Sequence, residues 1–178
     1  MIQIRCKNNK KSQKVEIGST LFDVFSAFNL KMTHGPVSAR VNNKVEGMHY
    51  RVYNAKDVEF LDMTSASGSR AYTRTLFFVL CKAVQDIYPN TDVVIDIPVS
   101  NGFYVDIHLG RPVVDEDVNI LRRRMQEIID DKMPIRRYMV PTEEAIALFE
   151  EKGDVEKVKL LKTSGSIYTT YYKIGEYV

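Results

Sequence analysis

The stretch 69-SRAYTRTLFFVLCKAVQDIYP-89 decides how this sequence divides. From Leu76 onward, Leu76, Phe77, Val79, Leu80, Ala83, Val84 and Ile87 cover more than one stripe of a 3.6-residue repeat. Such a segment predicts a mostly buried helix, and Pro89-Asn90 ends it. The residues before it, 63-MTSASGSR-70, are small and polar and read as a linker over 63–69. One module is therefore expected on each side, over 1–62 and 70–178.

The first module alternates. Residues 2-IQIRC-6 and 13-QKVEI-17 each place apolar side chains at every second position around a polar turn, which predicts a hairpin. In 18-GSTLFDVFSAF-28, Ser19 or Thr20 can cap a helix whose Leu21, Val24, Phe25 and Phe28 share a face. A second hairpin follows in 37-VSARVNNKVEG-47, with Asn42-Asn43 at its tip, and 57-DVEFLD-62 closes the unit as a strand. Two hairpins, one crossing helix and a closing strand predict a β-grasp.

The second module mixes types. Residues 91-TDVVIDIPV-99 and 102-GFYVDIHL-109 read as strands joined through Ser100-Asn101-Gly102. An amphipathic helix is expected over 115-DEDVNILRRRMQEIIDD-131, capped by Asp115. Its Val118, Leu121, Met125, Ile128 and Ile129 face inward and Arg122 to Arg124 face water. A further helix is expected over 141-PTEEAIALFEEKG-153, capped by Thr142 and stopped by Gly153. Residues 155-VEKVKLLK-162 and 166-SIYTTYYKIGEYV-178 read as strands. The fold class is α+β.

Composition narrows the function. The 178 residues are 44% hydrophobic, which suits a globular protein, and no apolar run approaches the length of a membrane span. Cys6 and Cys81 lack CxxC spacing, so reduced thiols and a cytoplasmic location are expected. Residues 1–62 hold ten Lys/Arg and six Asp/Glu, a surplus of +4, and much of it sits in one loop. Lys7, Lys10, Lys11 and Lys14 are therefore candidate RNA contacts. The sequence has no Gly-Lys dipeptide, hence no Walker A phosphate loop. His34, His49 and His108 are its three histidines; His108 lies at strand spacing from Asp106, without further ligands close by for a metal. Tyr168, Tyr171, Tyr172 and Tyr177 could stack on bases, though strands commonly carry tyrosine for packing.

Taken in order, these pieces resemble the N-terminal half of threonyl-tRNA synthetase. The run "IGSTLFDVFSAF", "GPVSARVNNKVEG", "DVEFLD" is similar to a TGS domain. The run "CKAVQDIYP", "NGFYVDIHLGRP", "RRMQEIIDDKMPIRR", "EEAIALFEEKGDVEKVKLL" is similar to the α/β-sandwich domain that edits mischarged tRNA. On that resemblance the second module is an editing-like domain cut short at its C-terminal end. The family's editing helix carries His-x-x-x-His; counted back from Tyr88-Pro89, those places hold Arg74 and Phe78. Neither can shuttle a proton near neutral pH. Tyr104, Asp106 and Lys157 match pocket positions of the family, so a degenerate cleft of Arg74, Phe78, Tyr104, Asp106 and Lys157 is expected to bind a nucleotide, an amino acid or RNA without catalysis.

The same pair of domains precedes the kinase domain in a group of bacterial nucleoside (uridine) kinases. The missing histidines make the chain resemble that setting more, which implies a sensing or positioning region. Its partner would be a C-terminal kinase domain using ATP and magnesium, with no cofactor in these residues. The alternative is the editing region of a synthetase-like protein, an aminoacyl-tRNA deacylase built on His108, Asp106 and Lys157.

Overall fold

The computed structural model describes residues 1–100 and 102–178; Asn101, at the tip of the expected turn, lies outside the described residues. The fold is α+β, with a mixed five-stranded sheet, two two-stranded sheets and five helices among the described residues. The chain forms two compact units, Met1–Phe78 and Val79–Val178.

In the first unit, β1 (Ile2–Cys6) pairs antiparallel with β2 (Lys11–Val15) and parallel with β5 (Lys56–Leu61). Strand β5 also pairs antiparallel with β3 (Ser38–Val41), which forms a hairpin with β4 (Lys44–Glu46), giving the order β2-β1-β5-β3-β4. The turn between β3 and β4 is Asn42-Asn43, both at positive φ (45° and 71°), as a right-twisted two-residue hairpin requires. Helix α1 (Leu21–Ala27) is closed by a capping box. The Thr20 hydroxyl accepts from the Asp23 N–H at 3.2 Å, and the Asp23 carboxylate accepts from the Thr20 N–H at 2.8 Å. Alternate strand residues and one helix stripe meet in a single core that includes Ile4, Leu21, Val24, Val58 and Phe60. This is the β-grasp arrangement the alternation predicts.

Helix α2 runs Ala66–Ile87, so the last four residues of the expected linker are helical and the division between units falls inside the helix. Gly68 explains how the helix starts so close to β5: a Cβ there would stand 1.8 Å from the Asp62 carbonyl oxygen. The helix is less buried than its composition predicts. Val79, Ala83 and Val84 are buried, whereas Leu76 is exposed.

In the second unit, β6 (Val93–Val99) pairs antiparallel with β7 (Gly102–Ile107), with an irregularity between Ile95 and Pro98, where proline lacks a ladder donor. Helix α3 (Asp115–Asp130) buries Leu121 and Ile128 but leaves Val118 and Ile129 exposed. Its N-cap is Val114, not Asp115. The capping carboxylate belongs to Asp117, which accepts from the Val114 N–H at 3.0 Å. That carboxylate is almost wholly buried. It also takes two Arg111 bonds (2.7 and 2.8 Å) and the Tyr88 hydroxyl (2.6 Å), tying the end of α2 to the start of α3.

Strand β8 (Ile135–Pro141), not expected from the sequence, pairs antiparallel with β9 (Tyr168–Ile174). Helix α4 (Thr142–Glu151) starts directly from β8. Its N-cap is Pro141, and the Thr142 hydroxyl, expected to cap, bonds Thr169 at 2.9 Å instead. The segment read as a strand from Val155 is helix α5 (Val155–Ser164). Asp154 caps it through the Lys157 N–H at 3.0 Å, and Gly165 ends it at φ 64°. No helix among the described residues is long and apolar enough to cross a membrane.

Candidate functional site

The four lysines of the β1–β2 hairpin are all exposed, and none forms an ion pair among the described residues. Lys7 and Lys10 sit in the turn, and Lys11 opens β2 opposite Cys6. Lys14 is three residues further on and so projects from the other face of β2. It borders a cleft of about 560 Å³ shared with Glu16, Asp23 and Arg51. The basic patch is therefore Lys7, Lys10 and Lys11, with Lys14 apart.

The five residues of the expected cleft are distributed over both units. Arg74 (exposed) and Phe78 (half-buried) fall in the first unit, whereas Tyr104, Asp106 and Lys157 fall in the second. Tyr104 and Asp106 are both exposed on β7, on the face opposite Val105 and Ile107. Asp106 takes His108 as its partner at 3.1 Å, which fulfils the shared face expected of that pair. Lys157 lies on α5, and no hydrogen bond or ion pair among the described residues joins it to Tyr104 or Asp106. Nor do the described residues include a group of three His, Cys, Asp or Glu side chains that could hold a metal.

A polar cluster in the second unit joins Lys157, expected as a cleft residue, to Asp154, Cys81 and Tyr177, a grouping the sequence reading did not make. The Lys157 ammonium bonds Asp154 at 2.7 Å and stands 5.0 Å over the Phe149 ring. Its charge acts on the Cys81 thiol, which is hydrogen-bonded to the Tyr177 hydroxyl. Burial pushes the Cys81 thiol up, and the Tyr177 bond only partly offsets that shift. Burial likewise pushes the Tyr177 phenol up, with Cys81 adding to it. Asp154 is pushed up by burial, but the Lys157 bonds outweigh this and hold it below the usual carboxylate range.

One residue along α2, Lys82 is 8% exposed and pairs with Asp86. Asp86 also accepts from Arg124 at 2.9 and 3.0 Å. Gly175 packs so closely on this ammonium stem that a Cβ would lie 3.4 Å from the Lys82 Cε. The Lys82–Asp86 spacing of four is a local trace of this ion pair in the sequence.

The cluster sets the Lys157 cation among groups whose protonation is biased by burial and charge. Its thiol and phenol hold their protons, its carboxylates are engaged by cations, and the histidines of the sequence lie outside α2, α5 and the terminal turn.

No family model matches the chain. Among individual proteins, it is 29% identical over 180 residues to the threonine--tRNA ligase of Clostridium kluyveri, covering 100% of this chain and 28% of that protein. It is 28% identical over 179 residues to that of Acetivibrio thermocellus, covering 100% and 28%. It is 26% identical over 178 residues to that of Clostridioides difficile, covering 99% and 28%. The chain is related over its whole length to the N-terminal part of threonine--tRNA ligases. It spans about 28% of the length of these relatives. They favour the synthetase side of the resemblance and lend no support to a nucleoside-kinase setting.

Proposed function

We propose that this chain is a tRNA-recognising region of a threonyl-tRNA synthetase-like protein that binds without editing. The whole-length relation to threonine--tRNA ligases carries this reading. The unpaired Lys7, Lys10 and Lys11 supply phosphate contacts. The second unit supplies a polar cluster of Lys157, Cys81 and Tyr177 that offers hydrogen bonds and positive charge but no general base.

Two measurements on the full chain test it. Filter binding to threonine-specific tRNA should show an affinity that falls steeply with salt. Incubation with seryl-tRNA for threonine should leave the ester at its uncatalysed rate. Absence of binding at low salt removes the recognition half, and rapid deacylation removes the non-editing half. The full reading frame of the gene separates this parent from a nucleoside kinase: synthetase catalytic motifs support the proposal, and a GxxxxGK[ST] phosphate loop contradicts it.

A further inference from the structure

Strand β9 reads 168-YTTYYKI-174, and its tyrosines divide between two faces. Tyr171 turns inward, stacks on Tyr138 at 5.3 Å between centroids and meets the Phe149 ring edge-on at 6.3 Å. Tyr168 and Tyr172 occupy the other face and are 61% and 49% exposed. Cross-strand partners share a face, so Pro141 stands beside Tyr168, Arg137 beside Tyr172, and the 68% exposed Met139 beside Thr170 between them. Among the described residues neither Tyr168 nor Tyr172 makes a ring contact or a side-chain hydrogen bond, and Arg137 makes no ion pair.

Charge identifies what would cover this face. Of the cations on β8 and β9, Arg136 and Lys173 stand opposite each other on the Tyr171 face, with Lys173 bonded to Glu176 at 3.1 Å; Arg137 is the cation of the open face, and neither strand carries a carboxylate. Open aromatic rings flanked by an unpaired guanidinium, with no acid in either strand, complement a base and its phosphate. The two rings are four strand residues apart, roughly 13 Å. They would therefore take two separate bases of an extended strand, with Met139 and Thr170 under the nucleotide between.

We propose that the outward face of the β8–β9 hairpin is a stacking platform for unpaired bases of RNA, with Tyr168 and Tyr172 as the stacking rings and Arg137 as the phosphate contact. This rests on the tRNA-recognition reading above and adds a surface separate from the basic hairpin and from the Lys157 cluster.

The test titrates a labelled oligouridylate and threonine-specific tRNA separately into the full chain, with far-UV circular dichroism confirming the fold of each variant. Tyr168→Leu and Tyr172→Leu should each weaken oligouridylate binding about 5- to 150-fold, because a stacked base contributes that much. Tyr168→Phe and Tyr172→Phe should keep the wild-type affinity, since the ring is retained. Arg137→Gln should weaken binding and lower its salt dependence. Leucine variants that bind oligouridylate like wild type, or a wild-type chain that binds tRNA but no oligouridylate, overturn the platform and leave the tRNA reading standing. Tyrosine-dependent oligouridylate binding without binding of threonine-specific tRNA upholds the platform as an RNA surface and overturns the tRNA reading.

Discussion

Replacing Asp86 by alanine should be one of the most damaging single changes in the second unit. Lys82 is 8% exposed and has Asp86 as its counter-ion on the next turn of α2. Removing one partner of a buried pair typically costs about 3–5 kcal/mol, because the remaining charge stays buried without compensation. The Asp86 side chain keeps 22% of its exposure, so water can partly solvate the site. Arg124 loses Asp86 but retains Glu127 at 2.8 Å, which limits its share of the loss. An expected cost of about 2–4 kcal/mol follows. The double change Lys82→Met with Asp86→Leu removes both charges while keeping volume. It should be less destabilised than Asp86→Ala alone by more than about 1 kcal/mol.

Two compact units need not unfold as one transition, so amide hydrogen exchange across α2 and α3 under increasing urea is the appropriate readout. Protection in Asp86→Ala within about 0.5 kcal/mol of wild type would refute the buried-charge reasoning. So would a double variant as unstable as the single one.

Gly68→Ala should destabilise the first unit by about 1–3 kcal/mol or more, since the new methyl meets a backbone oxygen rather than a yielding side chain; urea unfolding with a probe in β5 reads this. Stability should fall in acid. Asp86 and Asp154 are held below their ordinary value of 3.8, so their contribution is complete above that value and is lost as pH drops through their lower folded pKa; an acid titration followed by circular dichroism shows it. Stability should also fall in alkali, because the Cys81 thiol is raised above 9.0 in the folded chain. Its contribution is complete below that pH and is lost above it, and Cys81→Ser should shift that limb. Changing Lys7, Lys10 and Lys11 to Ala should lower the salt slope of tRNA binding by about one per lysine, while Lys14→Ala changes it least; filter binding over a salt series distinguishes them.

Local chemistry made the first unit readable. Asn-Asn between alternating runs, Thr20 three residues before Asp23, and strands with one apolar face each fix structure over a few residues. The second unit is harder because its decisive partners are remote. Residues 155-VEKVKLLK-162 fit either period; Asp154 as a cap and Gly165 as a left-handed stop make them helical. Strand β8 was hidden by Arg136-Arg137, which break its alternation, and exists because β9 pairs with it along its whole length. For the same reason the Cys81–Tyr177–Lys157 cluster has no sequence signature: its members come from a helix, a terminal turn and another helix. The family pattern directed attention to Arg74 and Phe78. The α2 residues that enter the second unit's polar cluster are Cys81, Lys82 and Asp86.

That shift along the helix bears on the chemistry. On the proposed binding-without-editing reading, nothing in the second unit's polar cluster replaces a histidine pair as a proton relay. Candidate replacements are a thiolate, a phenolate, a free amine or an unpaired carboxylate. Burial keeps the Cys81 thiol and the Tyr177 phenol protonated. The Lys157 ammonium is bonded to Asp154, and the same bond lowers the basicity of that carboxylate. Asp86 is bound by two cations. Each candidate is thus held in the state that binds rather than the state that accepts a proton. On the proposed reading, hydrolysis would require an imidazole within hydrogen-bond reach of a bound water and removal of the cation that would compete for its lone pair. If the proposed reading holds, Phe78→His alone leaves seryl-tRNA for threonine at its uncatalysed rate of deacylation, and rapid deacylation by that variant would contradict it.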